Sequence, residues 1–169
     1  MAPQLLNYIT ISTLSTTIPA TTPIYMLNLL RFRPTAVYGP DAPPAISSLP
    51  PVSGYAAYYT RYLPTVMPLM PAGAAPVFVG KPLANLVASA ALVGDKQADG
   101  EFGQHESEGE GEGEGVAGVE WDAVAIVRYE SFGDFKTMAT SDVYRETAMP
   151  HRVAAVEAYK LVVCEELKM

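Results

Sequence analysis

The run Ala123-Val124-Ala125-Ile126-Val127 carries no polar side chain at either parity, and a helix start follows it almost at once. Ser131 with Asp134 three residues later makes an approximate capping box, and Phe132, Phe135, Met138 and Ala139 define one apolar face. A strand that is apolar on both faces must be covered on both. The segment Ile24-Tyr25-Met26-Leu27-Asn28-Leu29-Leu30-Arg31-Phe32, ended by Arg33-Pro34, has the same character. A chain of 169 residues, about half of them apolar, buries one such core and needs no second domain.

Residues 1–23 are rich in Ser and Thr with a weak alternation, which reads as an extended arm or an added edge strand. Residues 24–169 form the single domain. Six prolines between Pro34 and Val52 remove amide donors, so residues 34–52 read as a surface loop without regular structure. Ser53 caps a helix beginning near Gly54, whose Tyr55, Tyr58, Tyr59, Tyr62, Val66 and Leu69 recur at helical spacing. Pro64 and Pro68 should kink or shorten it, Ala72-Gly73 ends it, and Pro76 to Gly80 reads as the second strand. Leu83 to Val93 reads as a continuation of that strand. The Gly/Glu-rich stretch 94–118 cannot offset a backbone ordering cost of about 1–2 kcal/mol per residue and is expected to be a disordered insertion.

The third strand then spans Val119 to Glu130. The second helix is interrupted near Thr140-Ser141, resumes at Asp142 with Tyr144, is reshaped by Pro150 and continues toward Tyr159, leaving Leu161 to Leu167 as the closing strand. The order βαββαβ implies an α+β, ferredoxin-like fold: an antiparallel four-stranded sheet with two helices on one face. In so small a domain only another subunit can cover the other face, so a homodimer through that face is expected.

The net charge of −7 lies entirely between Gly94 and Gly118, where eight acidic residues face the lone Lys96, and the rest of the chain is neutral. No basic stripe for nucleic acid appears, and no window approaches the roughly 20 apolar residues that span a bilayer. Met1 to Pro23 lacks the cationic start and unbroken apolar core of a secretion signal, and the single cysteine, Cys164, sits in an apolar run as a small buried residue. A cytoplasmic protein without nucleic-acid or membrane partners is the expectation.

Three patterns together resemble the DUF1330 group of the dimeric α/β-barrel superfamily: Tyr25 to Phe32, Tyr58 followed by the Gly73 to Gly80 strand, and Trp121-Asp122 through Tyr129, Ser131, Met138, Tyr144 and Arg152. They cover most of residues 24–93 and 119–166. The resemblance implies a dimeric α/β-barrel domain with a small-molecule pocket between sheet and helices. Members of the wider superfamily include cofactor-free monooxygenases, isomerases, polyketide cyclases and haem proteins, so the likeness locates chemistry without choosing it.

His151 is the only histidine outside the acidic stretch, and is a candidate acid/base or a plain helix histidine beside Pro150. Tyr144 is the second catalytic candidate. Asn28 interrupts an apolar strand face and needs partners, either a ligand or the backbone. Arg128, Arg152 and Arg31 are alternatives for one carboxylate or phenolate clamp, among which the sequence does not choose. Tyr58 belongs to an aromatic helix face that is core or pocket wall, and Trp121 is a strand-start anchor or a substrate contact. No HxxxH, Cys/His cluster or phosphate-cradling loop is present, so no metal and no cofactor are expected. The expected activity is cofactor-free acid/base chemistry (cyclisation, isomerisation or elimination) on a phenolic or polyketide-like molecule between sheet and helices; a pocket of about 300 Å³ or more with convergent polar groups would favour it over a non-catalytic protein. The alternatives are a non-catalytic dimer that binds a ligand and a cofactor-independent monooxygenase.

Overall fold

The computed structural model describes residue 6 and residues 8–84 and 120–167. The acidic insertion and the part of Leu83 to Val93 beyond Ala84 lie outside the described residues. Four strands, β1 (Ile24–Phe32), β2 (Ala75–Gly80), β3 (Ala123–Tyr129) and β4 (Val156–Cys164), form one antiparallel sheet in the order β2-β3-β1-β4. The fold is α+β, and the sequence expectation is borne out at that level.

The two crossovers are built alike. The first runs through α3 (Gly54–Ala57), a π turn (Tyr58–Tyr62), α4 (Leu63–Val66) and a 3-10 turn (Met67–Leu69). The second runs through α5 (Phe132–Thr140), a π turn (Tyr144–Ala148) and α6 (Met149–Ala155). Both expected caps form: Ser53 Oγ accepts from Ala56 N at 3.1 Å, and Ser131 Oγ accepts from Asp134 N at 3.1 Å. In each crossover a proline, Pro64 or Pro150, comes soon after the π turn. A proline lacks the N–H that would continue the i to i−4 ladder, and the wider turn accommodates that loss without ending the rod.

The inner sheet face carries Ile24, Met26, Asn28 and Leu30 from β1, all buried, with Ala123 and Tyr129 from β3. Gly54 seats the first crossover on the sheet. It donates to Arg33 O at 2.9 Å while Arg33 N donates to Ala155 O at 2.9 Å, and a Cβ on Gly54 would collide with the Ala155 carbonyl. Gly73, at φ 81°, turns the chain into β2.

Four expectations need correction. The N-terminal segment is not an extended arm: α1 (Tyr8–Thr17) is a helix whose Ile11 is buried in the core. The Pro-rich loop contains one helical turn, α2 (Pro44–Ser47), and is tied to the domain by Val37 N donating to Ala154 O at 3.0 Å. The second crossover stops at Ala155 and β4 begins at Val156, so Tyr159 lies on a strand. Cys164 is exposed.

Candidate functional site

Between the inner sheet face and the two crossovers lies a cavity of about 150 Å³. Its floor is Met26, Asn28 and Leu30 of β1 with Ala125 and Val127 of β3, and its roof is Tyr58, Tyr62, Tyr144 and Arg152 from the crossovers. Met67, Met70 and Val79 stand toward the β2 side. A space of this size holds roughly one aromatic ring.

Arg152 gives the cavity its chemistry. It is buried, 7% exposed, and its guanidinium lies 4.8 Å from the ring centre of Tyr159 and 5.9 Å from that of Tyr62. Nη2 donates to Asn28 Oδ1 at a long 3.4 Å, Tyr144 is within hydrogen-bonding reach, and Nε has no acceptor. No carboxylate among the described residues pairs with it: the ion pairs there are Arg31–Glu157, Arg128–Glu130 and Arg145–Asp142. Burial disfavours its charge, but the surrounding phenols of Tyr62, Tyr144 and Tyr58 outweigh that, so its pKa is raised and it stays a cation. A buried cation without a counter-anion is costly, and an anionic ligand would offset that cost.

Three phenols of the cavity wall, Tyr58, Tyr62 and Tyr129, are held neutral. Burial raises the pKa of Tyr58, and of Tyr62 well above the ordinary phenol value, while Tyr129 is pushed up to about 12. They are hydrogen-bond donors and weak acids at neutral pH. Asn28 turns its amide nitrogen to Met26 O at 3.0 Å and its oxygen to Arg152, so it positions the guanidinium.

Of the residues singled out from sequence, Asn28, Tyr58, Tyr144 and Arg152 come together here. Three do not. His151 is buried but points away from the cavity, with Nδ1 at 2.9 Å from Tyr38 Oη, which also accepts from Arg61 Nη1 at 3.1 Å. Tyr38 Oη and His151 Nδ1 share one hydrogen bond, whose direction is set by the tautomer of the imidazole. Burial and Arg61 both lower the His151 pKa. Arg128 lies on the opposite sheet face, where it grips Glu130 through 2.6 and 3.1 Å bonds. Trp121 is half-buried just before β3 and lines none of the cavity. Sequence reasoning missed Tyr62 and Tyr129, which line the cavity, and Tyr159, which does not line it but packs its ring against Arg152 from the inner face of β4. The signal for Tyr159 is the alternation Tyr159, Leu161, Val163, all facing β1 across the register Leu30↔Tyr159, Asn28↔Leu161 and Met26↔Val163.

Among the described residues no cluster of His, Cys, Asp or Glu is placed to hold a metal, and no helix is long and apolar enough to cross a membrane. No family model matches the chain, and no curated protein does. Two solved structures are similar to it. Methylated RPA0582 protein is 28% identical, with 98% of this chain and 95% of that one covered and a TM-score of 0.61. RPA0582, described as a protein of unknown function from Rhodopseudomonas palustris, is 28% identical, with 99% and 98% covered and a TM-score of 0.58.

Proposed function

We propose that the protein is a cofactor-free enzyme of the DUF1330 type, acting on a small phenolic or enolisable molecule whose anionic oxygen is held by Arg152. The single observation behind this reading is a buried guanidinium that lacks a carboxylate partner among the described residues and faces an aromatic cavity. No carboxylate and no histidine lines that cavity among the described residues, so the wall supplies acids and a cation but no strong base. It suits a substrate that enters as its enol or enolate and is stabilised by Arg152: its carbon takes a proton from Tyr144, and the resulting tyrosinate, beside the Arg152 cation, regains a proton from the enol hydroxyl or from water. His151, which does not reach the cavity, has no part in this step.

A direct probe is the ketonisation of enol-phenylpyruvate, whose ring and acidic oxygens match the cavity. Loss of enol absorbance should accelerate over buffer with the protein and fall back with Arg152→Met. Equal rates for both proteins would remove the catalytic assignment. The second reading, a binding protein without turnover, is favoured by the cavity volume of about 150 Å³, which falls below the roughly 300 Å³ usual for ligand pockets. It would give retained binding with no acceleration.

We also propose a homodimer through the outer sheet face. Leu27, paired with Ile126 and Val162, and Leu29, paired with Val124, leave apolar side chains there that are only partly covered. Light scattering at micromolar concentration should give twice the chain mass, and Ile126→Asp should return the monomer.

A further inference from the structure

A groove of about 600 Å³ lies beside the cavity and shares Tyr59, Val79 and Ala123 with it as common walls. Its other sides are Phe32, Tyr55, Lys81 and Asp122. Three of its rings form one array: Tyr55 stacks on Tyr59 with centroids 4.4 Å apart at 36°, and Phe32 meets Tyr55 and Tyr59 at 5.6 and 6.0 Å. Tyr55 nevertheless stays 59% exposed. An aromatic platform with one open face is built to receive a further ring. The charges are arranged asymmetrically. The Asp122 carboxylate accepts from Phe32 N at 2.7 Å and is thus engaged by the backbone, whereas Lys81 is exposed and in no ion pair among the described residues. The inner cavity alone has room for one ring, so a larger ligand must extend into this groove.

We infer that cavity and groove are two halves of one elongated site, and that its ligand is an aryl acid of two or more rings. The inner ring carries its anionic oxygen to Arg152. The outer ring stacks on Tyr55 and Tyr59, where Lys81 meets a second acidic or phenolic substituent. The inference rests on the reading of Arg152 as an anion site and adds the outer half.

Titration calorimetry with benzoate, biphenyl-4-carboxylate and biphenyl-4,4′-dicarboxylate tests both parts separately. The biphenyl acid should bind roughly tenfold more tightly than benzoate. Tyr55→Ala, at an exposed position, should erase most of that gain and leave benzoate unchanged. Lys81→Ala should weaken only the dicarboxylate. If benzoate binds in an Arg152-dependent way but affinity does not grow with length, or if Tyr55→Ala weakens all three acids alike, the outer half is wrong and the inner site stands. If none of the three binds, both the groove and the anion site fall.

Discussion

His151 and Arg152 are neighbours in sequence and equally buried, yet, about 100° apart around α6, they meet contrasting chemical situations. On the His151 side the network formed with Tyr38 and Arg61 closes on itself, with Arg61 Nη2 also donating to Pro50 O at 2.6 Å. On the Arg152 side a cation has a long bond to Asn28, Tyr144 within reach, aromatic faces and an Nε that has no acceptor, beside empty space. Residue type alone favours the histidine as the reactive group, since it titrates near neutrality. Satisfaction reverses the ranking. A saturated network holds structure together, and an unsatisfied group next to a cavity is available to a ligand.

The sharpest way to break the contrast is Arg152→Met. It should abolish benzoate binding, by a hundredfold or more in order of magnitude, while leaving the melting temperature unchanged or raised, because a buried ion is often replaced by an apolar side chain at no loss. A large drop in melting temperature would instead make Arg152 structural. His151→Ala should behave inversely: benzoate affinity unchanged, with a stability loss of about 1–3 kcal/mol in urea titration from the Tyr38 hydroxyl left without its imidazole partner. The pH dependence belongs to the same side. The His151 pKa is lowered in the folded state, so the unfolded chain binds more protons below the ordinary histidine value. Stability should be full above about pH 6.5, decline as pH falls through that value and level off below the folded pKa. In His151→Phe that decline should shrink; a decline of the same size would place its source elsewhere. Smallest of all, Arg128→Ala should leave benzoate affinity and melting temperature where they are, since its partner Glu130 is exposed on the far sheet face.

Much of the frame is legible locally. Ser53 and Ser131 announce helix starts because a hydroxyl at that position satisfies an otherwise unpaired amide. β1 and β3 announce themselves by apolar character at both parities. α1 was not legible, because its sequence argues against it. Thr13, Ser15, Thr16 and Thr17 each turn a hydroxyl onto a backbone carbonyl of their own helix, and docking against the domain settles the matter, with Lys136 Nζ donating to Ser15 Oγ at 2.9 Å. The end of α6 was missed for a related reason: no glycine marks it, and Val156 simply switches to extended backbone at ψ 135°. Of the site, Asn28 was readable as a polar interruption in an apolar face. The choice of Arg152 over Arg128 and Arg31 was not, because it depends on which carboxylates lie within reach, and Glu130 and Glu157 take the other two.

The π turn at Tyr144–Ala148 also fixes the angular phase at which α6 leaves it. One residue occupies about 100° of an α-helix, and a π turn accommodates one more residue than an α turn would. Without that extra residue α6 would enter rotated, turning the His151 and Arg152 directions away from the loop and the cavity together. Both directions are therefore inherited from a single local irregularity upstream, and a one-residue deletion between 145 and 148 would displace Arg152 from the cavity without altering any residue that lines it.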